Sequence, residues 1–237
     1  MKKASILTLV LVILFSANSF AKKKKPKGFQ GKITYKISYE GRELTSQEET
    51  SVPTKSIAYY TGFKIINKQI MPMGYVTTIE DFETNDKTLI YDMMGNKFYF
   101  TVPGDSLKKN NDSLKVKPVI KKLDQTKTIA GYKCQKASVT SKGKDGKEVT
   151  YYIYYTEELK PVHVDEDLAA AGINGIVLET EMTLGDPDDD EALTMITTAV
   201  EIKKGKVKKS EYAIPPGTKK LTLDEVKKMF GQKALEE

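Results

Sequence analysis

The chain has 237 residues, a formal net charge of +6 at neutral pH, one cysteine and one histidine. A lone cysteine cannot form an internal disulfide, and one cysteine plus one histidine is too few for a structural zinc site. The basic excess is small for a nucleic-acid-binding protein. We therefore expect a fold stabilised by apolar burial, with no metal, no cofactor and no nucleic-acid partner.

Residues 1–21 have the plan of a secretory signal peptide. Lys2 and Lys3 precede an apolar run over residues 6–15, and small and polar residues follow, ending at Ala21. The run is shorter than the roughly 17 to 25 residues of a membrane-spanning helix. We predict cleavage after Ala21, a periplasmic or secreted location and no stable membrane anchor. Cys134 lies far from the cleavage point, so no lipid anchor is expected there.

Residues 22–28 form a basic leader, and residues 29–237 have a length that suits a single domain with a sizeable core. The leader contains the lysine run 22–25 and Lys27, a composition typical of a disordered segment. Weak attraction to anionic lipid headgroups is the alternative role for these lysines. We expect a single β-rich domain over residues 29–237 with a short helix near its C-terminus.

Strand patterns dominate the predicted domain. Residues 29–39 alternate apolar and polar side chains, which predicts a strand with one buried face. Turn residues such as Asp145-Gly146 and Gly95-Asn96 separate other strand candidates and predict β-hairpins. The predicted strand pairs are 89–93 with 98–102, 137–140 with 149–155, 178–184 with 193–202, and 200–202 with 207–214 across Gly205.

The strand over residues 149–155 carries tyrosine on both faces, which indicates cover on both sides. A curved antiparallel sheet, or half-open β-barrel, with short helices in its concavity would provide that cover. Residues 165–171 predict one helix, with acidic residues at its start. Thr222 and Glu225 form a capping-box pattern for a second helix, whose apolar stripe of Val226, Met229 and Phe230 is predicted to dock on the sheet. Residues 107–123 are interpreted as a connection with a short element at 116–120.

Three catalytic or metal-binding patterns are present in the sequence, but each is disfavoured by its context. Gly104-Asp105-Ser106-Leu107 matches an esterase nucleophile block, but Lys160 stands where the aspartate three residues before His163 should be. Cys134 could pair with His163 as nucleophile and base, although a buried structural thiol fits its strand-like surroundings better. Asp186, Asp188 and Asp190 have the spacing of a calcium loop that lacks its glycine and closing glutamate. We predict that the protein is not an enzyme.

The thirteen tyrosines are concentrated in predicted strands, while tryptophan is absent. Tyrosine combines a wide apolar surface with a hydroxyl, so it can fill a core or line a pocket for an amphipathic ligand. Four short segments carry a resemblance to an exported bacterial family known only as a domain of unknown function. They are Phe29-Gln30-Gly31-Lys32-Ile33, Ile129-Ala130-Gly131-Tyr132-Lys133-Cys134, Tyr155-Thr156-Glu157-Glu158-Leu159-Lys160-Pro161 and Ile214-Pro215-Pro216-Gly217.

The resemblance implies a fold similar to the LolA and LolB lipoprotein carriers, whose half-open β-barrel holds acyl chains in an apolar concavity covered by helices. It supplies no catalytic residue. We therefore expect the concave face to bind a lipid, a lipoprotein acyl chain or another hydrophobic ligand. The alternative is an envelope scaffold or protein-interaction module. The predicted ligand-binding residues are Ile33, Tyr35, Ile37, Tyr151 and Ile153.

Overall fold

The protein is a β-rich molecule in the computed structural model, which describes residues 28–105, 117–142, 148–185, 189 and 192–230. Helices contribute short segments only. The strands are β1 (Gly31–Glu40), β2 (Lys55–Tyr60), β3 (Lys64–Met71), β4 (Gly74–Asp81), β5 (Asp86–Met93), β6 (Asn96–Val102), β7 (Val119–Ile129), β8 (Tyr132–Lys142), β9 (Glu148–Thr156), β10 (Ile176–Leu184), β11 (Leu193–Lys204) and β12 (Lys219–Lys220). The α-helices are α1 (Ser46–Ser51), α2 (Glu166–Ala170) and α3 (Leu223–Phe230), and Lys209–Glu211 forms a 3₁₀ turn.

All twelve strands belong to one curved sheet that does not close into a barrel, which confirms the predicted fold class. The strand order is β12-β6-β5-β4-β3-β2-β1-β11-β10-β9-β8-β7. Two meanders, β1–β6 and β7–β11, therefore meet where β1 pairs with β11. Among the strands of the described residues, only the two-residue β12 runs parallel to its neighbour, β6.

The β1–β11 pair contains a register shift between Thr34 and Tyr35. One residue of β11, Val200, has no partner in β1 at this point. Such a bulge bends a strand and increases its local twist. The sheet is therefore bent at the junction between its two meanders.

Three of the four predicted strand pairs are present: β5–β6, β8–β9 and β10–β11. At the tip of β5–β6, Met94 and Gly95 both have positive φ values, of 51° and 81°. A two-residue turn with two positive φ values matches the right-handed twist of the strands, and Gly95 adopts it without steric cost.

The fourth predicted pair was wrong, because residues 207–214 do not form a strand. Both sides of β11 are already paired, with β1 on one side and β10 on the other. The chain after β11 instead crosses the other meander, where Val207 and Tyr212 pack against buried side chains of β2–β5.

The strands β1–β6 present two different faces, which we call the inner and outer faces. Along each strand, side chains alternate between them. Tyr35, Ser56, Gln69 and Val76 occupy one row of paired residues on the inner face. The outer face carries the buried side chains of Ile57, Tyr59, Ile66, Ile79 and Ile90.

Two short helices, α2 and α3, pack on the side of the sheet that carries the inner face. The Asp165 side chain caps α2 by accepting hydrogen bonds from the backbone N–H groups of Asp167 and Leu168. This confirms the predicted helix, and Leu168 is buried against strands β8 and β9.

The predicted capping box of α3 is also present, between Thr222 and Glu225. Val226 is buried beside Phe100 of β6, as predicted. Met229, however, is 58% exposed, so the predicted apolar stripe is wrong at that residue. The predicted connection 107–123 ends earlier than expected, because β7 begins at Val119; residues 106–116 lie outside the described part.

Candidate functional site

A cavity of about 140 Å³ lies between the inner face of β1–β4 and the segment that contains α2. Several of its walls are apolar, and polar side chains from β2, β3 and β4 form a stripe across its floor. The apolar lining includes Ala58, Ile65, Val76, Phe82, Leu168 and Val177. The polar lining includes Ser56, Asn67, Gln69, Thr78, Thr180 and Thr197.

Two tyrosines stand where the two meanders meet. The Tyr35 hydroxyl donates a hydrogen bond to the Val177 carbonyl at 3.0 Å and so ties β1 to β10. Burial, followed by the nearby Tyr60, raises the pKa of Tyr35 well above its ordinary value. Burial also raises the pKa of Tyr60 to about 12. Both phenols are therefore neutral and act as hydrogen-bonding groups.

A buried ion pair supports one end of the cavity. Glu80 of β4 lines it, and Lys87 lies opposite Glu80 on β5 with its Nζ 3.5 Å from Glu80 Oε1. Burial raises the pKa of Glu80 although Lys87 opposes that shift. Burial likewise lowers the pKa of Lys87. Each charge therefore depends on the other, since either alone would be costly in this environment.

His163 closes the cavity against the turn after β4. Its ring stacks on Phe82, with the two ring centroids 3.8 Å apart and the planes 16° from parallel. His163 Nε2 is the one buried side-chain nitrogen or oxygen without a hydrogen-bond partner among the residues that the structure describes. Burial lowers the pKa of His163, so the imidazole is neutral at physiological pH. An unpartnered buried polar atom costs about 1–3 kcal/mol.

The structure places the five predicted ligand-binding residues at three locations. Tyr35 lines the cavity. Ile33 is fully buried in the main core cluster, and Ile37 lies on the same face of β1 at 6% exposure. Tyr151 and Ile153 pack with Leu168 in the cluster under α2. The last four do not line the cavity, so the residues of β1 and β9 mainly support the walls around it.

Sequence reasoning missed three parts of this site: strand β3, Phe82 and His163. The β3 sequence, KIINKQIM, does not alternate strictly between apolar and polar residues, so its inner-face Asn67 and Gln69 gave no signal. For His163, which follows Pro161, the sequence predicted no role in ligand binding. The one available signal was that His163 is the only histidine in the sequence.

Cys134 is a buried thiol, as its strand-like surroundings predicted. It has no exposed surface, and its Sγ contacts the Tyr132 carbonyl oxygen at 3.5 Å. Burial raises the pKa of the Cys134 thiol to about 11, which disfavours the reactive thiolate. Ser106 of the esterase-like motif and Asp186, Asp188 and Asp190 of the calcium-like loop lie outside the described residues.

A second cleft, of about 330 Å³, lies between residues 117–120 and the outside of α2. Its charged lining residues Lys117, Glu166 and Asp167 lie at the surface or are only partly buried. It contains fewer convergent groups than the inner cavity. The inner cavity is therefore the stronger candidate site.

A scan of protein-family models found no match to this chain, and a search of curated proteins also found none. In the part of the chain that the structure describes, no helix is both long enough and apolar enough to cross a membrane.

Proposed function

We propose that the protein is an exported, non-enzymatic binder or carrier of a hydrophobic or amphipathic ligand, such as the acyl chain of a lipid or lipoprotein. The inner cavity carries this proposal, because it combines apolar walls with a small set of convergent polar groups. That combination is typical of small-molecule sites. Burial of apolar surface supplies the affinity, at roughly 25 cal/mol per Å².

The size of the cavity defines what it holds in this conformation. Cavities near 150 Å³ hold one benzene-sized molecule. A cavity of about 140 Å³ therefore takes a short apolar group or the end of an acyl chain. A longer chain requires movement of the segment over residues 161–175, which packs on the sheet through Leu168 of α2 and the fully buried Ile173.

Two measurements test the proposal. Purified protein is extracted and analysed by lipid mass spectrometry, and ligand-free protein is titrated with the neutral dye Nile red. Dye displacement is then followed with primary alcohols from butanol to hexadecanol. We expect saturable binding and an affinity that rises with chain length. Protein that contains no lipid and binds neither the dye nor any alcohol would overturn the proposal.

A blocking variant localises the binding. Thr78→Trp places a large ring in the cavity and should abolish dye binding. Thr150→Trp puts the same ring at an exposed position of β9 outside the cavity lining and should leave dye binding unchanged. Dye binding that survives Thr78→Trp in a folded protein would place the ligand elsewhere.

Export remains part of the proposal. The signal peptide over residues 1–21 predicts that expression in a bacterium with an intact secretion system yields a mature N-terminus at Lys22. N-terminal sequencing of the periplasmic or secreted protein tests this. An intact Met1 terminus on cytoplasmic protein would contradict it.

A further inference from the structure

The charges around the cavity distinguish between classes of ligand. Glu80 and Asp165 contribute carboxylates to its lining, whereas none of its described lining residues is a lysine or an arginine. Glu80 already has Lys87 as its counter-ion. The Asp165 carboxylate is already used by two backbone N–H groups at the start of α2.

A charged ligand end would gain little from these groups. A carboxylate would lose its hydration and find no cation to pair with, because the lining has no lysine or arginine, Lys87 is already paired with Glu80, and Asp165 carries a like charge. An ammonium would also lose its hydration, and both lining carboxylates are already engaged. Neither sign of charge therefore finds an unused counter-charge in the cavity.

An uncharged polar group finds better partners. His163 Nε2 has no partner in the protein and no accessible surface in this conformation, so a ligand reaches it only when the segment over residues 161–175 moves to admit a chain. A neutral imidazole nitrogen can pair with a hydroxyl or an amide, as can the amides of Asn67 and Gln69 in the same lining. Pairing with a ligand removes the cost of the unpartnered nitrogen, whereas a purely apolar ligand leaves that cost in place.

We propose that the ligand of the inner cavity ends in an uncharged hydrogen-bonding group, such as a hydroxyl or an amide, and that His163 Nε2 recognises that group. This inference rests on the proposed function and narrows it: free fatty-acid carboxylates are poor ligands, and neutral amphipathic molecules are good ones.

The test compares four probes with the same chain length: octanol, octanamide, octanoate and octylammonium. Each displaces Nile red from the ligand-free protein at pH 7.5, where the two charged probes are ionised. We expect octanol and octanamide to bind at least about tenfold more tightly than either ion. Equal or tighter binding of octanoate or octylammonium would overturn this inference while leaving the proposed function intact. Failure of all four probes would instead count against the proposed function.

Two variants test the roles of the named residues. His163→Phe keeps a ring against Phe82 but removes Nε2, so octanol should bind about fivefold more weakly, in line with the loss of one hydrogen bond. Asp165→Asn removes a negative charge while keeping a residue that caps helices well. It should therefore reduce the difference in binding affinity between octanoate and octanol.

The control for both variants is Glu148→Gln, a change to an exposed carboxylate at the start of β9. It should leave every affinity unchanged. Circular dichroism establishes that each variant is folded. Unchanged octanol affinity in folded His163→Phe would overturn the assignment of Nε2.

Discussion

The two faces of strands β2–β5 are built from neighbouring residues of the same chain but are packed in different ways. The outer face contains a buried cluster of aliphatic and aromatic side chains, which the segment after β11 closes with Val207 and Tyr212. The inner face carries a polar stripe, in which the Ser56 hydroxyl donates to Asn67 Oδ1 at 2.7 Å. A cavity remains above that stripe.

This difference indicates that the outer face mainly stabilises the fold, whereas the inner face is suited to binding. Close-packed side chains lose both transfer energy and contacts when they are shortened, so the outer face should dominate the free energy of unfolding. Polar side chains and unfilled volume contribute less to stability. The inner face contains polar side chains and unfilled volume, and we interpret this combination as the arrangement of a binding surface.

The largest expected effect compares Ile66 with Ile65, which lie on opposite faces of β3. Ile66 has no exposed surface in the outer cluster, whereas Ile65 lines the cavity. Ile66→Ala should lower the free energy of unfolding by about 2–5 kcal/mol, the usual cost of a buried Ile→Ala change. Ile65→Ala should cost distinctly less and enlarge the cavity. Urea denaturation measures both, and equal losses would contradict the division between the faces.

The next effect comes from enlarging the side chains of Ile79 and Thr78 on β4. Ile79→Phe adds volume to the filled outer face and should cost about 1–3 kcal/mol. Thr78→Leu extends into the cavity, so its cost should be smaller and Nile red binding should weaken. Thermal unfolding and dye titration give the two readouts. A larger stability loss for Thr78→Leu than for Ile79→Phe would show that the cavity has no spare volume.

The sequence predicted the outer framework better than the site. Period-two patterns and Gly-containing turns identified β1 and three hairpins, because alternation and positive-φ turns are local properties of the chain. The acidic start of residues 165–171 and the capping box of Thr222 and Glu225 identified two helices for the same reason. The wrongly predicted strand at 207–214 shows the limit of such patterns. These residues cannot pair with β11, because both edges of β11 are already paired.

The site could not be predicted from local patterns, because its walls come from distant parts of the chain. Tyr35 was found since it lies on a clearly alternating strand. Phe82 and His163 meet only after a turn of one meander is brought against the loop that covers the other. The two meanders are joined by the pairing of β1 with β11, which no single segment encodes.

A smaller effect compares the hydroxyls of Tyr35 and Tyr59 on the two faces. Tyr35 donates to the Val177 carbonyl inside the molecule, and Tyr59 donates to the exposed Glu211 carboxylate at 3.0 Å. Tyr35→Phe leaves the carbonyl of the half-buried Val177 without that partner and should cost about 1–2 kcal/mol. Tyr59→Phe should cost less, since water can reach Glu211. Chemical denaturation of both variants, with Tyr75→Phe as a control on a more exposed ring, makes the comparison. Equal costs would mean that the two hydroxyls are equally accessible to water.

The smallest effect is the pH dependence contributed by His163. Burial lowers the pKa of His163 in the folded state below the value of about 6.5 for an unfolded histidine. Between these two values the unfolded chain binds more protons, so the stability contributed by the neutral ring is complete above about pH 6.5 and declines as the pH falls through the folded pKa. Urea midpoints at about pH 7.5 and about pH 5.5 should therefore differ less in His163→Phe than in the unmodified protein. His163 is the chain's only histidine. Identical pH dependence in the two proteins would therefore mean that its ring is hydrated. Water would then be the partner of Nε2, and the nitrogen would no longer be unpartnered.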